Sequence, residues 1–183
     1  DAQWLVRMVE NLLSVTRMDS GNVQISTVVT AVDELLDSAL LKFQKRYSHQ
    51  KVLLDLPQEP VLISVDCMLM EQVVINLLEN AVQHATGFTQ ILLQVRIQEQ
   101  KVVVEITDDG CGIPPDRLPQ LFTGYFTPGE QPADGAKRNA GIGLSLCATI
   151  IHAHGGIIEA ENNPSGGATF RFTLQMEDVT DEQ

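Results

Sequence analysis

The chain has 183 residues, 44% of them hydrophobic and 20% charged, and its 24 acidic against 12 basic side chains give a net charge of −12. This length and composition predict one compact domain with a sizeable core and argue against disorder. The negative balance argues against a general nucleic-acid or anionic-membrane surface, which needs a basic face, and no apolar run approaches the length of a membrane span.

The sequence opens at Asp1 with no signal-peptide pattern, so a piece of a longer protein is expected. Residues 2–18 predict an amphipathic helix, because Trp4, Leu5, Met8, Val9, Leu12 and Val15 recur at three- and four-residue steps. Asp19-Ser20-Gly21-Asn22 ends it. Such a stripe either docks on its own domain or forms half of a two-helix dimerisation hairpin. A short β-like run follows from Val23 to Val28, and Thr30 with Asp33 opens a helix to about Tyr47 in a capping-box-like arrangement. Lys51–Leu56 and Leu62–Val65 read as strands separated by Pro57 and Pro60. Asp66 caps a helix to about His84, with Met70, Val73, Val74, Leu77, Leu78 and Ala81 on its buried side. Gln90–Gln98 and Lys101–Thr107 form a hairpin around Glu99-Gln100, its second strand buried on much of both faces.

Asp108 to Pro115 reads as a polar loop, followed by a short helix from about Asp116 to Phe122. Residues 123–140 hold few periodic apolar residues and are long for a bare connection, which suggests a lid. Gly141–His154 predicts a helix closed by Gly155-Gly156. Ile157–Glu161 and Ala168–Gln175 make a last hairpin, and the tail beyond Met176 is acidic and expected to fray. The pattern predicts an α/β (α+β) two-layer sandwich, with one mixed β-sheet covered on one face by helices. The scattered Cys67, Cys111 and Cys147 suggest neither a zinc site nor a disulfide framework, and His152 and His154 suggest a solvated helix end.

Three features carry candidate chemistry. Asn76 and Asn80 are four apart, so both amides lie on one helix face, where their oxygens can hold a hard cation such as Mg²⁺; a polar face or an amide bonded to backbone is the bland alternative. Asp108-Asp109-Gly110-Cys111-Gly112-Ile113 puts a carboxylate at the end of a buried strand, where it can accept from an exocyclic amine, and its glycines let backbone approach a flat ring. The alternative there is a tight turn. Gly141-Ile142-Gly143-Leu144 opens a helix, whose first N–H groups bind phosphate, with Lys137 and Arg138 just before it in an otherwise acidic chain.

In their joint order, followed by Gly166-Gly167-Ala168-Thr169-Phe170, these motifs resemble the N, G1, F and G2 boxes of the sensor histidine kinase ATP-binding domain, the HATPase or GHKL family with the Bergerat fold. The resemblance covers about residues 23–176. Residues 1–21 resemble the C-terminal helix of the preceding dimerisation and histidine-phosphotransfer domain, which leaves 22–176 as the ATP-binding catalytic domain and 177–183 as an acidic tail. Val74 to Val82 and His154-Gly155-Gly156 look most like KdpD-type potassium and osmosensor kinases.

The resemblance implies ATP as substrate and Mg²⁺ as cofactor. It makes Asn80 the metal ligand, Asn76 a phosphate or metal-shell contact, and Asp108 the adenine reader, with Thr169 nearby through water. Gly110 and Gly112 would shape the adenine pocket; Gly141 and Gly143 would give the phosphate turn, with Ile142 between them in the ATP site and Lys137 or Arg138 on phosphate from the lid. Leu144 and Phe170, with Ile113, would be apolar walls or ordinary core. Four departures stand out. Gln83 replaces a Lys common in the family, His84 fills the aromatic position beside it, the lid lacks the usual acid and Arg, and Asn139 replaces a Gly.

Asn76 stands where the ATP-hydrolysing relatives carry a general-base Glu, so the resemblance implies ATP held for transfer and not for hydrolysis. His49, His84, His152 and His154 all fall in the ATP-binding region, so the acceptor histidine is expected outside this segment. Implied partners are the chain's own phosphotransfer domain, in a homodimeric parent, and a response regulator. No nucleic acid and no direct membrane contact are expected of this segment, which would lie in the cytoplasm with the parent anchored in the bacterial membrane. A GHKL-type ATPase and a nucleotide-binding or interaction module without kinase activity are the alternatives.

Overall fold

The computed structural model describes residues 25–84, 87, 90–122 and 135–178. The expected helix at 2–18 and most of the lid lie outside those residues. In chain order the elements are β1 (Val28–Ala31), α1 (Val32–Arg46), β2 (Val52–Asp55), β3 (Leu62–Val65), α2 (Cys67–His84), β4 (Ile91–Gln98), β5 (Lys101–Asp108), a 3₁₀ turn (Leu118–Gln120), α3 (Gly135–Ala153), β6 (Ile158–Asn162) and β7 (Ala168–Gln175).

Five strands form a mixed sheet in the order β2-β4-β5-β7-β6, parallel only between β2 and β4. The expected single sheet is corrected in one respect. β1 pairs with β3 as a separate antiparallel ribbon, which meets the chain just past the C-terminal end of β7 through one bridge, Ile63 to Met176. The Glu177 N–H donates to the Leu62 carbonyl at 2.8 Å, so the first tail residues are held.

The strongest sequence patterns produce the expected elements. Alternating β-branched residues form the β4–β5 hairpin, whose Glu99 and Gln100 both take positive φ, as a two-residue turn that follows strand twist requires. The buried stripe of α2 is Met70, Val73, Val74, Leu77, Leu78 and Ala81, and each fully buried side chain of this size contributes about 1.5–3 kcal/mol of transfer free energy. The three helices share their core with one sheet face. The other face carries a charge ladder across four strands: Arg96 to Glu105, Glu105 to Arg171 at 2.9 Å, and Arg171 to Glu161 at 3.0 Å. Burial pushes the Glu105 carboxyl up, but the two guanidiniums outweigh it and hold it below the usual range.

Several expected boundaries are corrected. The first described strand is Val28–Ala31, where β3 supplies its partner, and residues 25–27, expected within a strand over Val23–Val28, are not part of it. Thr30 therefore lies within a strand and caps nothing; Ala31 is the N-cap, and the Val32 N–H is satisfied by the Val61 carbonyl at 2.9 Å. The helix expected over 116–122 shrinks to the 3₁₀ turn with Pro119 in it. The helix expected from Gly141 begins six residues earlier, at Gly135, carried by good helix formers such as Ala136, Lys137 and Arg138.

His152 is exposed as expected, but His154 is half-buried and hydrogen-bonded. Its Nε2 accepts from the Asp66 N–H at 3.0 Å, which places the ring proton on Nδ1, where it donates to the Ile150 carbonyl at 2.8 Å. Asp66 itself accepts from the Leu69 N–H at 3.3 Å, as the expected cap, and from the Ser26 N–H at 3.1 Å. Among the described residues no helix is long and apolar enough to cross a membrane.

Candidate functional site

The helices α2 and α3 pack antiparallel, as three contacts along their seam establish. His154 meets Asp66, the Cys147 thiol meets the Val73 carbonyl at 3.8 Å, and a Cβ added at Gly143 would lie 3.9 Å from the Asn76 amide nitrogen. Burial pushes the Cys147 thiol up to about 12, against a smaller opposing pull from the neighbouring Asn76 amide. It is a core thiol among apolar neighbours.

Asn76 is buried in this seam. Its Oδ1 accepts from the Gln72 side chain, one turn earlier on α2, at 2.8 Å. Its Nδ2 lies beside the Cys147 thiol but within hydrogen-bond reach of no acceptor, and among the described residues it is the one buried side-chain nitrogen or oxygen so placed. A buried unsatisfied donor costs about 1–3 kcal/mol, so one kept in a packed seam calls for an explanation. Asn80, one turn on, is half-buried, and none of the described residues hydrogen-bonds its carboxamide. Gln83 is exposed, and its amide donates to the Tyr47 hydroxyl at 3.4 Å, so the structure ties it to the end of α1. His84 is the last residue of α2. Glu79 is buried, and that burial pushes its carboxyl up to about 7, with Arg46 opposing.

The other half of the site lies at the ends of β5, β6 and β7. Helix α2 packs against β5, whose last residue is Asp108. Its buried carboxylate accepts from the Gly110 N–H at 2.9 Å. Burial raises its pKa, Asp109 adds to that, and the backbone N–H groups of Gly110 and Ala168 oppose it. Two glycines are demanded here. Gly112 has φ +77°, and a Cβ on it would meet the Asn162 Oδ1 at 2.8 Å; Gly167 has φ +81°, and its Cβ would lie 1.9 Å from the Asp108 carbonyl oxygen. Asn162 holds the loop by pairing with both backbone groups of Ile113. It accepts from the N–H at 2.7 Å and donates to the carbonyl at 2.8 Å. Thr169, facing Thr107 at 3.0 Å, donates its hydroxyl to Asn163 Oδ1 at 2.8 Å.

Leu144 and Phe170 are core residues, with Phe122 edge-on to Phe170 at 6.3 Å. Ile113 is partly buried against that core. With α3 described from Gly135, the N–H groups of residues 135–137 have no acceptor within the helix. Gly141, Ile142, Gly143 and Leu144 sit inside the helix and do not open it; Lys137 and Arg138 fall in its first turn, which holds no acid.

A protein-family model described as "Histidine kinase-, DNA gyrase B-, and HSP90-like ATPase" matches residues 65–178, which contain both halves of this site. The chain belongs to that family. Over 177 residues it is 41% identical to the sensor protein KdpD of Clostridium acetobutylicum, covering 97% of this chain and 20% of the relative. It is 36% identical over 171 residues to the sensor protein KdpD of Escherichia coli, covering 93% of this chain and 19% of the relative. The chain thus spans about a fifth of the length of these curated relatives. Its fold superposes on the ATP-binding domain of PrrB from Mycobacterium tuberculosis with a TM-score of 0.65 at 26% identity, covering 83% of this chain and 98% of that one.

Within the ATPase family the chain is thus a histidine-kinase-type ATP-binding catalytic domain. Gln72, Asn162 and Asn163 were not among its sequence-derived site residues. The four-residue step from Gln72 to Asn76 carried a signal, whereas Asn162 is 49 positions from its partner and carried none.

Proposed function

We propose that this domain binds ATP with Mg²⁺ and, in a KdpD-like sensor kinase, delivers the γ-phosphoryl group to a histidine outside residues 1–183, from which a response-regulator aspartate accepts it. The observation that carries the reading is the orphaned Asn76 amide nitrogen facing Gly143, because it brings the NxxxN and GxGL motifs together around a group that lacks an acceptor. Phosphoryl oxygens supply one.

The residues divide the work. Asp108 accepts from the purine's exocyclic amine, in a loop fixed by Asn162, Gly112 and Gly167, with Thr169 beside it. Asn80 would hold the metal ion through its oxygen, with phosphate oxygens completing the shell, a donor set that suits a hard cation. The ion would neutralise charge on the transferring group. The α2–α3 register, carried one turn beyond Asn76 and Gly143, supports Asn80 lying level with the backbone near Asn139. Lys137 and Arg138, in a helix first turn whose dipole disfavours cations, suit an anion that offsets them. Asn76 supplies no carboxylate base, which supports ATP retention over hydrolysis.

By the same reading, residues 1–21 end a dimerisation and phosphotransfer domain, 22–176 form the catalytic domain and 177–183 a tail. The domain works in the cytoplasm within a membrane-anchored homodimer. Calorimetric titration of this chain with Mg-ADP tests the core of the reading: saturable binding below millimolar nucleotide is expected, and none at millimolar concentration defeats it. Asn76→Glu should raise ATP hydrolysis, measured as phosphate release.

A further inference from the structure

We propose that Gln72 is a positioning residue, which turns the Asn76 carboxamide so that its NH₂ group, not its oxygen, faces the phosphoryl groups of a bound nucleoside triphosphate. This deepens the nucleotide reading above and rests on it. The Gln72 Nε2 donates to Asn76 Oδ1 at 2.8 Å, which occupies the oxygen and leaves Nδ2 beside Gly143 and the Cys147 thiol with no hydrogen-bond partner. An amide carries one acceptor side and one donor side, so fixing either fixes the other. Reversing both amides would keep the Gln72–Asn76 bond but present an oxygen to phosphate oxygens, a repulsive contact. The donor-out arrangement is thus the one an anion selects, and Gln72 holds it before the anion arrives, which lowers the ordering cost of binding.

Glu at position 72 can only accept when ionised, so it recruits the Asn76 NH₂ and turns the oxygen outward; Leu removes the lock. The full 183-residue chain, with Mg²⁺, is titrated with a non-hydrolysable ATP analogue by calorimetry and with adenosine by chemical-shift mapping. This is done for the native protein, Gln72→Glu, Gln72→Leu, Asn76→Ala and the double variants. We expect the analogue to bind roughly tenfold more weakly to Gln72→Glu and roughly threefold more weakly to Gln72→Leu, with adenosine changed less than about twofold. Neither substitution should add to the effect of Asn76→Ala. The Asn76 side-chain NH₂ resonances should shift with the analogue in the native protein and not in Gln72→Glu.

Three results overturn the assignment while leaving nucleotide binding intact: analogue affinity unchanged in both Gln72 variants, an equal loss for adenosine, or a Gln72 effect that persists without Asn76, which would be charge repulsion alone. A native chain that binds neither ligand defeats the nucleotide reading itself, and Gln72 with it.

Discussion

At the strand-end half of the site, a partner is found for each group that shapes the loop after β5. Asp108 accepts from Gly110, Asn162 takes both backbone groups of Ile113, and Thr169 donates to Asn163. At the helix seam the Asn76 amide nitrogen is buried with none. The first half is complete before any ligand arrives and so suits a rigid, flat base. The second leaves a donor that only an added acceptor completes, which suits phosphate oxygens. A family member can thus place its stability in one half and its unmet chemistry in the other.

The sharpest way to break this contrast is Gly167→Ala. Its Cβ would fall 1.9 Å from the Asp108 carbonyl oxygen at φ +81°, and we expect a loss of about 3 kcal/mol or more, read from the urea midpoint. Asp108→Asn should keep the fold, by circular dichroism, but weaken Mg-ADP binding about a hundredfold, since an amide accepts far less strongly than a carboxylate. Asn162→Ala should cost about 2 kcal/mol of unfolding free energy, because two backbone groups of Ile113 lose their partner.

Glu79 gives a titration test of the seam's other face. Its folded pKa of about 7 lies above the ordinary 4.5, so its contribution to stability is full below the unfolded value and is lost as pH rises through about 7. Glu79→Gln should therefore flatten the decline between pH 5 and 8, with a gain of about 1–2 kcal/mol at pH 8 after discounting for Arg46 and partial exposure. The smallest effect belongs to Asn76→Ala. It removes the unpartnered donor together with the Gln72 bond to Oδ1, two opposing effects, so the stability of the free protein should change by less than about 1 kcal/mol, while nucleotide binding weakens. A large destabilisation there would show that the amide is structural.

The sequence displayed whatever had a local period or a local partner. The β4–β5 hairpin, the α2 stripe and the Asp66 cap are of this kind, and so is the pairing of Asn76 with Asn80 on one face. Features set by distant backbone stayed hidden. Thr30 looks like a cap until Val61 satisfies the Val32 N–H, and Asn162 looks like part of a turn until Ile113 docks on it. The start of α3 is obscured because 135–141 has no apolar period and two glycines, so the GxGL motif looks like the helix opening although six helical residues precede it.

The bond from the Asp66 N–H to His154 has a mechanical consequence. It fastens the C-terminal end of α3 to the N-terminal end of α2 and so sets a fulcrum. The 19 residues of α3 make a rod about 28 Å long, so each degree of tilt about that fulcrum displaces the Gly135 end by about 0.5 Å. Gly143 sits a little past halfway along the lever, so any tilt that opens the far end by a given distance widens the gap over Asn76 by about half as much.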